Sequence, residues 1–137
     1  MNESRNVALI VALALGVWGA IAVAVGAALG PFHANPTKGS AELAAAAVGV
    51  VAYFAGRRIS NVYLVGVGLL LLVDAFMGLT RGVFYLDFAA LNGKVVPLVW
   101  PDRGLASLPH LIVGALAFYA GLAFANRDAR ARPSPDL

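Results

Sequence analysis

Four long apolar stretches cover most of this 137-residue chain, at 7–30, 36–56, 62–80 and 104–125. A bilayer core about 30 Å thick needs about 20 apolar helical residues to cross it. The stretches at 7–30, 62–80 and 104–125 have that length, and the second reaches it when its start is taken back to Pro36. The expected fold is therefore an all-α membrane protein, a four-transmembrane-helix bundle, in a single domain over 1–126. An outer loop follows at 82–103, and 127–137 reads as a disordered cytoplasmic tail.

Composition supports that class. Apolar residues make up 61% of the chain and charged residues 12%, against about 45–50% and 25% in soluble domains. No cysteine is present, which excludes disulfides, thiolate metal sites and thiol catalysis. The first apolar run is longer than the about 7–15 residues of a signal peptide core, so it reads as a retained span.

Orientation follows from the basic residues. Arg5, Arg57, Arg58, Arg127, Arg130 and Arg132 fall on one side of four spans, and Lys38, Arg81, Lys94 and Arg103 on the other. The bias places both termini in the cytoplasm and the protein in the cell membrane.

Several features along the chain carry packing information. Gly16, Gly19, Ala20, Gly26, Ala27 and Gly30 make the first helix rich in small residues, which allow close helix approach in lipid. Asn35-Pro36 reads as a helix cap followed by a first-turn proline. Ala45, Gly49, Ala52 and Gly56 form a small-residue stripe on the second helix. Residues Gly56–Asn61 read as a tight turn, and the third helix ends near Thr80–Gly82. In the outer loop, Asn92-Gly93 signals a hairpin, with an interfacial helix over 84–91 as the competitor. Tyr85 and Trp100 suit the headgroup region.

The segments 39–56 and 104–121 align without gaps and are identical at eight of eighteen positions, with the aromatic pairs Tyr53/Phe118 and Phe54/Tyr119 in register. Two pseudo-symmetric helical hairpins related by duplication are the simplest account. The repeat pairs Gly49 with Gly114 and Gly56 with Gly121 as helix-packing positions.

The run Pro109-His110-Leu111-Ile112-Val113-Gly114, following Pro101-Asp102 and an apolar loop, together with His33-Ala34-Asn35-Pro36, resembles a family of small bacterial four-transmembrane-helix proteins of unknown function. Ala45 stands where repeat symmetry would place a second histidine. The resemblance implies a fold and a membrane location, and no activity.

Charged groups inside a bilayer cost about 2.5–3.5 kcal/mol at mid-depth, so each requires a reason. Asp74, His110, Glu42 and Arg81 all fall in the outer half and form a candidate polar cluster. One reading is a proton relay or cation site. The other is a structural lock in which Asp74 accepts hydrogen bonds from His110, Tyr63 or Arg81. A metal site joining His33, His110 and a carboxylate lacks motif spacing, so no metal and no cofactor is expected. No catalytic residue is recognisable. Gly66-x-Gly68 lies inside an apolar helix and reads as packing. The basic tail is too short to imply nucleic acid. The expected function is a structural or accessory membrane component, packing on itself as a homo-oligomer or on a larger membrane complex. The alternative is a small oligomeric transporter or channel using Asp74 and His110.

Overall fold

The computed structural model describes residues 3–25, 36–87 and 97–131. Four α-helices follow one another: α1 (Glu3–Val25), α2 (Pro36–Ala55), α3 (Arg57–Arg81) and α4 (Asp102–Arg130). A short 3-10 turn spans Tyr85–Asp87, and the described residues contain no strand. Three helices, α1, α3 and α4, are long and apolar enough to cross a membrane. Helix α2 differs because Lys38 and Glu42 stand in its first two turns, where both side chains turn into the bundle.

The helices pack most intimately as α1 with α2 and α3 with α4, the pairing that two hairpins require. Glycines set both approaches. A Cβ at Gly19 would fall 2.7 Å from the Gly39 carbonyl oxygen, and one at Gly39 would fall 2.7 Å from that of Gly19. A Cβ at Gly68 would collide with the Phe118 backbone, and one at Gly114 would sit 3.0 Å from the Gly68 carbonyl. Backbone thus meets backbone where lipid supplies no hydrophobic drive to hold helices together. Between the hairpins lies a core of Ala8, Val11, Leu15, Ala46, Ala52, Tyr63, Leu64, Val67, Leu71 and Ala117. Large apolar side chains point outward instead, among them Val17, Val51, Phe54, Phe76, Leu116 and Tyr119. A bilayer accepts such a surface; water does not.

Helix bounds depart from the sequence expectation in three places. Helix α1 begins at Glu3, because Arg5 is held by α2: its Nε donates to the Tyr53 carbonyl at 2.8 Å and its guanidinium stacks 4.8 Å from the Tyr53 ring centre. The turn expected at Gly56–Asn61 shrinks to Gly56 alone, with Arg57–Asn61 already helical. Helix α4 runs to Arg130, so Arg127–Arg130 are not disordered tail; Asp128 accepts from Arg57 and Asn61, and Arg127 reaches Glu3. The expected tail at 132–137, the end of the first apolar run at 26–30, and the Asn92-Gly93 hairpin lie outside the described residues.

Gly56 also corrects a packing expectation. A Cβ there would meet nothing within 4 Å. The residue sits between two helices at φ 106°, ψ 179°, so its role is backbone geometry and not helix contact. Its repeat equivalent, Gly121, does pack: a Cβ would fall 2.8 Å from Val65. At the other end of α3, Gly82 adopts the left-handed conformation and its N–H closes onto the Gly78 carbonyl at 2.9 Å, ending the helix where expected.

A buried candidate functional site

Three helices each contribute one ionisable side chain to a single buried cluster. Glu42 comes from the second turn of α2, Asp74 from the last two turns of α3, and His110 from the third turn of α4. His110 lies between the two acids. Its Nδ1 is 2.7 Å from Asp74 Oδ2, and its Nε2 is 2.9 Å from Glu42 Oε1. The side chains are 4% exposed for His110 and 1% for each acid. The Leu86 N–H, in the 3-10 turn, donates to the other Asp74 oxygen at 2.9 Å. The turn is thereby tied to the helices below it.

Proton accounting constrains the charge state. A neutral imidazole has one N–H and one lone pair. Two bonds to carboxylate oxygens need two protons between the three groups. The cluster therefore holds either an imidazolium between two carboxylates or a neutral imidazole beside one protonated carboxyl.

Lys38 completes the set. It is 4% exposed, stands one turn before Glu42 on the same face of α2, and its Nζ lies 4.4 Å from the Phe84 ring centre. Two carboxylates, an imidazolium and an ammonium sum to zero. Neutral groupings of this kind are how a membrane interior tolerates ionisable side chains. Phe84 is itself buried, and lies against Gly78, where a Cβ would collide with its ring. The second Glu42 oxygen has no hydrogen-bond partner among the described residues.

The structure thus brings together Asp74, His110 and Glu42, and leaves out Arg81. Arg81 is exposed. It shares a helical face with Asp74, but it is the last residue of α3, and a long basic side chain at a helix end extends toward the polar boundary. Tyr63 also stays apart: its hydroxyl is buried without a partner among the described residues. Lys38 and Phe84 escaped the sequence reading. The legible signal was the i, i+4 spacing of Lys38 and Glu42, which puts both on one face of α2. Among the described residues, no group of three His, Asp or Glu side chains is arranged to share a metal ion.

Of the packing glycines, Gly49 and Gly114 are both tight: a Cβ at Gly49 would lie 2.5 Å from the Tyr63 ring and hydroxyl, and one at Gly114 would lie 3.0 Å from Leu71. Comparison with family models, with curated proteins and with solved structures gives no match, so the site is read from its own geometry.

Proposed function

We propose that this chain is a structural or accessory protein of the cell membrane, acting by packing on itself or on a larger membrane complex. The observation that carries the reading is the closed state of the cluster. Both His110 nitrogens are engaged by carboxylates, and the three side chains are at most 4% exposed. An ion-binding group in a transport path needs access from water; a lock between helices does not. Below the cluster, the core down to Ala8 and Val11 is apolar apart from the Tyr63 hydroxyl. The outward Phe54, Phe76, Leu116 and Tyr119 offer surfaces for lipid or for partner helices. The reading involves no catalytic step and no cofactor.

Arg5, Arg57, Arg58, Arg127 and Arg130 gather at the end of the bundle away from the cluster. By the excess of arginine at cytoplasmic boundaries, that end and both termini face the cytoplasm. A reporter fused to Leu137 should be active only in its cytoplasmic form.

Native mass spectrometry of the full chain, purified in mild detergent, tests the role. A stoichiometric partner chain, or a homo-oligomer without proton or cation flux in liposomes, supports it. Proton or cation flux abolished by Asp74→Asn, from a monomer or a homo-oligomer, would replace it with transport.

A further inference from the structure

At the arginine-rich end, the first turns of α1 and α3 meet the last turn of α4 around a cleft of about 210 Å³. Glu3, Ser4, Arg57, Phe124, Arg127 and Asp128 line it. The two guanidiniums are held in place by acids. Arg57 binds Asp128, whose other oxygen accepts from Asn61 at 3.1 Å, and Arg127 binds Glu3 at 3.2 Å. Each guanidinium has five N–H groups in a rigid fork. With the side chains 52% and 70% exposed, further N–H groups remain open to a ligand.

Ser4 points to what that ligand is. The residue is only 3% exposed, and its hydroxyl has no hydrogen-bond partner among the described residues. A buried hydroxyl left unpaired is costly, and this one belongs to a residue that lines the same cleft as Arg57 and Arg127. The charge at this end agrees. Arg5, Arg57, Arg58, Arg127 and Arg130 stand against Glu3 and Asp128, a net excess of three positive charges among the described residues. At the opposite end the described Lys38, Arg81 and Arg103 stand against Glu42, Asp74, Asp87 and Asp102, with no excess of positive charge.

We propose that this cleft binds a phosphate group, supplied by the headgroup of an anionic phospholipid. Arg57 and Arg127 fork onto the phosphate oxygens, the geometry in which arginine recognises phosphate. The Ser4 hydroxyl donates to a further oxygen. Phe124 lines the same cleft and gives the glycerol and upper acyl chain an apolar wall. The ends of three membrane-length helices put the cleft at headgroup level. The site rests on the membrane placement and not on the accessory role, so either can fail without the other.

The test is native mass spectrometry of the full chain titrated with phosphatidylglycerol, phosphatidylcholine or inorganic phosphate. One phosphatidylglycerol per chain should be retained in preference to phosphatidylcholine, whose choline offsets the phosphate charge. Arg127→Gln and Ser4→Ala should each weaken retention about fivefold. Arg81→Gln, at the other end, should leave it unchanged. Ser4→Ala removes no existing hydrogen bond, so it remains informative if Arg127→Gln fails to fold. Equal retention of the two lipids, or phosphatidylglycerol binding indifferent to both cleft variants, overturns the site. Binding of inorganic phosphate without lipid retention overturns the lipid assignment and makes the cleft a soluble-phosphate site.

Discussion

His110 and Glu42, 68 positions apart in the chain, meet at 2.9 Å inside the bundle, while the opposite nitrogen of the same ring contacts Asp74. One imidazole therefore joins α2, α3 and α4. Removing it would leave two buried carboxylates without the donor between them. Breaking a buried charge pair by deleting one partner costs about 3–5 kcal/mol. His110→Ala should lower stability by about that amount in reversible unfolding from mixed micelles. Wild-type stability of this variant would show that the cluster does not lock the helices.

Tyr63 occupies the space beside Gly49 and keeps a hydroxyl with no partner among the described residues. Overpacking a filled interior costs about 1–3 kcal/mol, so Gly49→Val should destabilise by that order. Tyr63→Phe removes the unpaired hydroxyl and should be neutral or stabilising. It should also relieve part of the cost of Gly49→Ala. A thermal melt of the two single variants and the double variant measures the coupling.

Gly56 should be sensitive for a different reason. Its surroundings are open, yet its backbone lies in a region that only glycine enters readily. Gly56→Ala should cost about 1–3 kcal/mol through strain. A Gly56→Ala protein as stable as wild type would mean that α2 and α3 can be joined through another backbone conformation.

Gly66 and Gly68 should respond in opposite directions. A Cβ at Gly66 meets nothing within 4 Å, whereas one at Gly68 runs into the Phe118 backbone. Gly66→Ala should stabilise α3 by about 0.5–1 kcal/mol through reduced backbone entropy. Gly68→Ala should separate α3 from α4 and lower the melting temperature. Equal effects at both positions would contradict the close crossing at Gly68.

Arg103 spans the connection between α3 and α4. Its guanidinium donates to the carbonyls of Leu98 at 2.9 Å, Thr80 at 3.2 Å and Leu79 at 3.4 Å. Hydrogen bonds from charged donors contribute about 1.5–3 kcal/mol. Arg103→Ala should accordingly speed amide exchange at Gly82 and Leu98, with little change in the His110 cluster. Unchanged exchange at both amides would remove the bracing role.

Much of the fold was legible because helix formation in an apolar chain is a local property. Pro36 marks the start of α2, and Gly82 terminates α3 with a left-handed turn. The bounds slipped where polar residues joined helices through distant partners. Arg5 bonds to the Tyr53 carbonyl, and Asp128 accepts from Arg57 and Asn61. Those contacts extend α1 and α4 past their apolar cores, and no local pattern contains them.

The sequence by itself determined the class: helices, their number, and a surface suited to lipid, because apolar length and small-residue content are read directly from the chain. It also placed Glu42, Asp74 and His110 at similar depth. Only the tertiary structure decided that these three meet, that Lys38 joins them where Arg81 was expected, and that Gly121 packs while Gly56 bends. The physical reason is rotation about helix axes. Spacing within a helix fixes which residues share a face, but the close approaches at Gly19–Gly39 and Gly68–Phe118 fix which face each neighbour presents.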